Sequence, residues 1–334
     1  MNVLIRGAGV AGLSLAYELS RHGIDVRIAE KRAQLAGSAS WQAGGMLAPW
    51  CECESADEAV LALGRSAADW WDAALPGHVI RSGTLVLAPA RDSREIDRFA
   101  RRTTGHRSIG AEEIAALEPD LAGRFRTGLF FAGEAHLDPR RALTALETKL
   151  TAMHVQFSYG QDTEQLPSPA DMIAECTGMA ANLPALRGVR GEALLLRTSE
   201  IRLSRPVRLL HPRFPIYVVP RADQRFMVGA TMIESDAPGP ITARSIMELI
   251  NAAYSLHPAF GEAELVETGT GIRPAFPDNL PRVERSGRTV SINGLYRHGF
   301  LLAPAMAKRA AEIILGQVSD GMTAGKEAFD GTHR

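Results

Sequence analysis

The chain has 334 residues, 46% of them hydrophobic, and a formal net charge of −1. That length supports one large core or two interwoven ones. The balanced charge and the lack of Lys/Arg runs exclude a nucleic-acid or anionic-membrane binder, and no apolar stretch is long enough to span a bilayer.

Residues 3–30, VLIRGAGVAGLSLAYELSRHGIDVRIAE, carry the strongest signal. An apolar run ends in Gly7-x-Gly9-x-x-Gly12, a helical pattern follows, and a second apolar run stops at Glu30. Strand, tight turn, helix and strand with a terminal acid form the dinucleotide fingerprint of a βαβ unit. Gly7 permits the turn, Gly9 leaves room for a pyrophosphate, and Gly12 lets the helix approach the strand. Val10 and Ala11 open that helix, whose free N–H groups and partial positive charge suit phosphates. Glu30, followed by Lys31, can accept hydrogen bonds from both ribose hydroxyls. With the glycine turn in the place of a cleavage region, a signal peptide is not expected. Cys51, Cys53 and Cys176 give an odd count without a second ligand pair, so the thiols read as structural, no metal site is expected, and the expected compartment is the cytoplasm.

Farther along, a Gly/Ala-rich loop spans Gly37 to Pro49 and a helical segment runs from Asp57 to Ala74. Residues 79–89 read as a strand pair around Gly83, 92–103 as a polar helix, and 109–117 as another helix before Glu118-Pro119. A short strand at 128–133 precedes a helix opened by Asp138-Pro139 and ending near Met153. Strands are expected at 155–158 and 171–176, the second ending in Thr177-Gly178, with an abbreviated hairpin between them. Residues 191–229 are strand-rich, 243–255 helical, and 265–273 and 289–293 apolar again. The last helix is expected from Pro304 to Leu315, and residues 319–334 form a frayed tail.

Six motifs in order carry a resemblance: GAGVAG at 7–12, ASWQAGGMLAP at 39–49, PIYVVPR at 215–221, VGATM at 228–232, TGIRP at 270–274 and GLYRHGFLLAP at 294–304. Together they resemble the D-amino-acid oxidase superfamily of FAD enzymes, and within it the glycine oxidases of thiamine biosynthesis. The resemblance implies an α/β fold in which an FAD-binding domain (1–77, 135–185 and 265–318) is interwoven with a substrate domain (78–134 and 186–264) built on an antiparallel sheet. Ala43, Gly44, Gly45 and Met46 match the loop beside the flavin ring. His298, Gly299, Phe300 and Leu301 match the turn and helix start beside the ring's anionic edge, although the His298 side chain reads first as structural. Val155 matches the position whose backbone meets adenine.

The resemblance also implies that Arg273 binds the substrate carboxylate by two parallel hydrogen bonds. Tyr217 supports the same carboxylate, Met232 lines the pocket, and Arg297 lies near the substrate. The implied reaction is hydride loss from a small amino acid to FAD, with no side-chain base, and reoxidation by dioxygen to peroxide. The imine would hydrolyse to glyoxylate or pass to thiazole synthesis. Alternatives are a D-amino-acid or N-methyl-amino-acid oxidase or dehydrogenase of the same fold, a nicotinamide-dependent dehydrogenase, and a flavin-binding module without turnover. Oligomeric state stays open, a homo-oligomer being one arrangement. Two departures from the family pattern stand out: a short 160–174 region, and the bulky pair Trp41-Gln42 ahead of the flavin loop.

Overall fold

Val3, Leu4 and Ile5 are buried on both faces of their strand, as a central parallel strand requires. In the computed structural model, which describes residues 1–161, 170–211 and 213–316, this strand (Asn2–Arg6) sits inside a six-stranded sheet. Parallel neighbours Asp25–Glu30 and Met172–Glu175 flank it, and Gln156–Tyr159 extends the sheet beyond Asp25–Glu30. On the other side Thr289–Asn293 pairs parallel with Met172–Glu175, and Arg282–Ser286 closes the edge antiparallel. The first helix, Val10–Arg21, and the last, Gly299–Ile314, pack together under one apolar cluster that includes Leu13, Leu15, Leu302 and Met306.

A second sheet of eight strands is almost wholly antiparallel; its parallel pair joins Val207–Leu209 to Thr84–Leu87. It has its own cluster, including Leu85, Val218, Val228 and Phe260, against helix Ala243–Leu256. Its longest pairing sets Arg187–Arg197 against Glu264–Ala275 along their full length. The domain boundary expected at 265 therefore falls inside the large sheet. That long pairing places Arg273, opposite Val189, in the larger sheet while the chain is on its way back to the other.

Several expected elements take a different form. The segment 57–74 is two helices, Glu58–Gly64 and Ala67–Ala74, the first capped by Asp57 accepting the Ala59 N–H. Gly64 is where this pair meets the last helix: a Cβ there would lie 2.7 Å from Leu301 Cγ. Residues 79–89 give one strand, Thr84–Leu87, and an isolated bridge at Ile80, because Gly83 (φ +77°) turns the chain between them. Residues 107–110 form a strand before the helix Ala111–Leu117, so Ile109 is a strand residue. The expected hairpin near 161–169 and the tail at 319–334 lie outside the described residues.

The last helix begins at Gly299, not Pro304, and Pro304 lies inside it. Proline has no N–H to give to the carbonyl four residues back, which is that of Phe300. The Trp71 indole supplies the missing donor, Nε1 to Phe300 O at 2.8 Å. The helix can therefore run through the proline and start at the cavity described next.

Candidate active site

Between the two sheets lies a cavity of about 760 Å³, within the range of cofactor pockets. Its nucleotide end is built by the first βαβ unit. Gly7 holds φ +96°, and a Cβ on it would come within 2.6 Å of Cys176 O. Gly12 would strike Gly7 O at 2.0 Å if it carried a Cβ, so it sets the close helix–strand packing and does not line the cavity. Glu30 is buried, with Oε2 accepting the Ala8 N–H at 2.8 Å and Oε1 the Arg32 N–H at 2.9 Å. Oε2 also accepts from Arg32 Nη2 at 3.2 Å, so Oε1 is the oxygen that keeps a lone pair for a hydroxyl. Gly9, Val10, Ala11 and Lys31 line the same end, as do Thr177 and Gly178. Ser40 Oγ, from the distant loop, accepts the Val10 N–H at 3.0 Å.

Val155 does not reach the cavity. It is buried in the core, and its N–H is spent on Leu150 O at 3.0 Å.

At the other end the loop Ala43–Met46 lines one wall. Gly45 has φ +72°, and a Cβ there would lie 2.2 Å from Leu137 O. The Tyr217 ring lies against Gly44, where a Cβ would be 2.8 Å from its Cε2. Arg221 fixes this loop by donating to Gly44 O at 2.7 Å. The last helix opens on the same space: His298 precedes its first turn, no side chain caps it, and Gly299, Phe300 and Leu301 line the cavity. Uncapped N–H groups at a buried helix start stabilise an anion by up to about 2 kcal/mol.

The cations follow. Arg273 lines the cavity with Nη1 donating to Thr231 O at 3.0 Å, and its guanidinium lies where Gly191 has no side chain. Burial pulls its pKa down, against the raising influence of Tyr217 and Tyr296. Burial also pushes the Tyr217 phenol up, so it stays protonated and can donate. Met232 is exposed at the mouth, its sulfur 3.6 Å from both Tyr296 Oη and Arg297 Nη1. Arg297 donates to Ser55 Oγ at 2.6 Å and lies 2.9 Å from Glu52 Oε2.

That last contact belongs to a group the sequence did not reveal. Glu52 and Arg208 form a buried ion pair lining the cavity, with Arg297 and His298 beside them. Burial would raise the Glu52 pKa, but Arg208, Arg297 and His298 together outweigh it and hold the carboxyl well below the usual range. His298 is driven down to about 4, mainly by burial, so it is a neutral neighbour and not an ion-pair partner at pH 7. A lone arginine in the apolar run PVRLL was the available signal; Glu52, set between Cys51 and Cys53, looked like part of a thiol motif.

Residues 2–313 match the family model for FAD-dependent oxidoreductases (DAO). The chain belongs to this family. It is an FAD-dependent oxidoreductase, and the glycine cradle, Glu30 and the uncapped helix start fit that cofactor. The nicotinamide alternative is thereby set aside. A Rhizobium etli protein, provisionally named thiamine biosynthesis oxidoreductase ThiO, is 62% identical over 317 residues, covering 94% of this chain and 97% of its own. Bifunctional ThiO/ThiG of Trichormus variabilis is 27% identical over 96% of this chain, which spans 53% of that protein. Glycine oxidase of Geobacillus kaustophilus shares the fold at a TM-score of 0.79, with 21% identity and 95% of each chain covered. Among the described residues no helix is long and apolar enough to cross a membrane, and no group of three or more His, Cys, Asp or Glu could hold a metal ion.

Proposed function

We propose that this protein oxidises glycine, and small relatives such as sarcosine and D-alanine, to the imino acid, with dioxygen reduced to hydrogen peroxide. One observation carries the reading: Arg273 and Tyr217 meet in the cavity that the Gly44–Gly45 loop and the Gly299 helix start also line. FAD, when bound, supplies the hydride acceptor. Arg273 takes the carboxylate as a bidentate fork, and the Tyr217 hydroxyl donates to the same group. With the carboxylate fixed, proximity and alignment do much of the work, and no side-chain base is required. The first turn of the last helix favours the negative charge that develops on the cofactor side.

The similarity to the Rhizobium etli protein supports a place in thiamine biosynthesis. Relatives that join a ThiO part to a ThiG part support direct hand-off of the imine to thiazole synthesis, with hydrolysis to glyoxylate and ammonia as the competing fate. Three unpaired thiols, Cys51, Cys53 and Cys176, support a reducing, cytoplasmic setting. The test is an oxygen electrode with FAD-loaded protein and glycine, sarcosine or D-alanine. Oxygen uptake matched by peroxide release is expected. No uptake with any of the three rejects the proposal, and reduction of an electron-accepting dye alone would assign a dehydrogenase.

A further inference from the structure

Gly191 lies inside a strand of the larger sheet and Gly229 ends another, and neither has a positive φ. Their backbone therefore does not call for glycine, which weakens a strand and marks a place where another group approaches closely. The register identifies what approaches. Tyr217, Gly229 and Ala193 stand opposite one another on three neighbouring strands, Gly191 is two residues from Ala193, and Arg273 pairs with Val189 two residues farther on. Alternation puts all of them on one face of the sheet. A Cβ on Gly191 would lie within 2.7 Å of Arg273 Nη1, Cζ and Nη2, which are its three nearest atoms. A Cβ on Gly229 would lie 2.9 Å from Tyr217 Oη. The guanidinium thus leans diagonally from Glu264–Ala275 onto Arg187–Arg197, and the phenol leans from Ile216–Pro220 onto Arg225–Gly229. The two receiving strands are adjacent, so the side chains converge.

We infer that Gly191 is a positioning residue for substrate binding: its missing side chain lets the Arg273 guanidinium reach over the neighbouring strand toward the Tyr217 hydroxyl, so that one carboxylate meets both. This rests on the amino-acid oxidase reading above. Among the described residues the guanidinium makes one hydrogen bond, Nη1 to Thr231 O at 3.0 Å. That bond fixes one corner of the fork, and Gly191 supplies the space beneath it. Alanine at 191 keeps the strand backbone and adds a single methyl group. To regain van der Waals separation the guanidinium must then move by about 1 Å, which breaks its alignment with the phenol. The competing role is sheet packing alone, in the pairing of Gly191 with Gly271. Packing is lost whatever stands at position 273, whereas positioning matters only while the guanidinium is there.

The experiment is a double-mutant cycle on FAD-loaded protein: unmodified, Gly191→Ala, Arg273→Ala and both changes together, with kcat/KM for glycine measured on each. Misplacing a binding group by about 1 Å predicts a fall of about 10- to 100-fold for Gly191→Ala, carried by KM. In the Arg273→Ala background the same substitution is expected to change kcat/KM by less than about threefold. Equal losses in both backgrounds would make Gly191 a packing residue and overturn the inference, as would no loss in the single variant. Should Gly191→Ala fail to hold FAD, the double variant decides, because removal of the guanidinium frees the space for the methyl group. Recovery of yellow, folded protein then supports the inference, and failure in both variants overturns it. An unmodified protein that does not oxidise glycine removes the parent reading and this one with it, whereas equal losses in an active parent remove this one alone.

Discussion

The Trp71–Pro304 arrangement can be tested as a thermodynamic cycle. Trp71 is fully buried, stands edge-on to Trp70 at 4.9 Å, tilts against the Phe300 ring at 5.4 Å and donates to the Phe300 carbonyl at 2.8 Å. Trp71→Phe removes that donor and leaves a buried carbonyl with no helical partner, at a cost of about 1–3 kcal/mol. The lost part of the indole adds about 1 kcal/mol of packing and cavity cost. Pro304→Ala restores an N–H four residues beyond Phe300, so it should relieve the first cost but not the second. The double variant is therefore expected to lie about 1–2 kcal/mol above the sum of the two single losses. Urea unfolding of FAD-saturated protein, followed by far-UV circular dichroism, measures all four corners. Strict additivity would show that the indole contributes packing alone and that the helix tolerates Pro304 for another reason.

Arg273→Ala should raise the KM for glycine by orders of magnitude while the protein stays yellow; an unchanged KM removes Arg273 from carboxylate binding. Gly45→Ala puts a Cβ 2.2 Å from Leu137 O at φ +72°, a clash with backbone that no rotamer relieves. A fall of at least about 2 kcal/mol in stability, with weakened FAD retention on gel filtration, is expected. Glu134, next to Cys51, is raised from 4.5 to about 7, chiefly by burial. The native state therefore binds an extra proton between these values, so this group favours folding below pH 4.5 and loses that advantage as pH rises through 7. The span corresponds to about 3 kcal/mol, so Glu134→Gln should flatten the pH dependence of the urea midpoint between pH 5 and 8. A variant with the same slope as the parent would show that Glu134 is ionised throughout.

How far the residues alone revealed the site depended on whether each part is local in the chain. The nucleotide end was legible because Gly7, Gly9, Gly12 and Glu30 lie within one βαβ unit, where strand and helix periods and the turn glycines agree. The flavin loop, Arg273 and Tyr217 came through resemblance, since nothing local distinguishes one arginine among many. The last helix was placed too late because proline reads as a first-turn residue, and its partner Trp71 lies far away in the chain. The Glu52–Arg208–Arg297–His298 group was hidden for a related reason: three distant segments contribute to it, and no spacing rule joins them. The strand Glu264–Ala275 runs across the boundary expected at 265, because a strand can belong to one sheet while its chain neighbours belong to the other.

The helix Gly299–Ile314 lines the cavity and packs against the helix Val10–Arg21, so two segments nearly three hundred residues apart complete one pocket together. A chain still emerging from the ribosome would present a phosphate cradle and Glu30 early but have no wall at the ring end until Gly299 to Ile314 had left the exit tunnel. Premature stops anywhere before this segment should accordingly give colourless protein, and flavin capture becomes a late quality mark on a finished molecule.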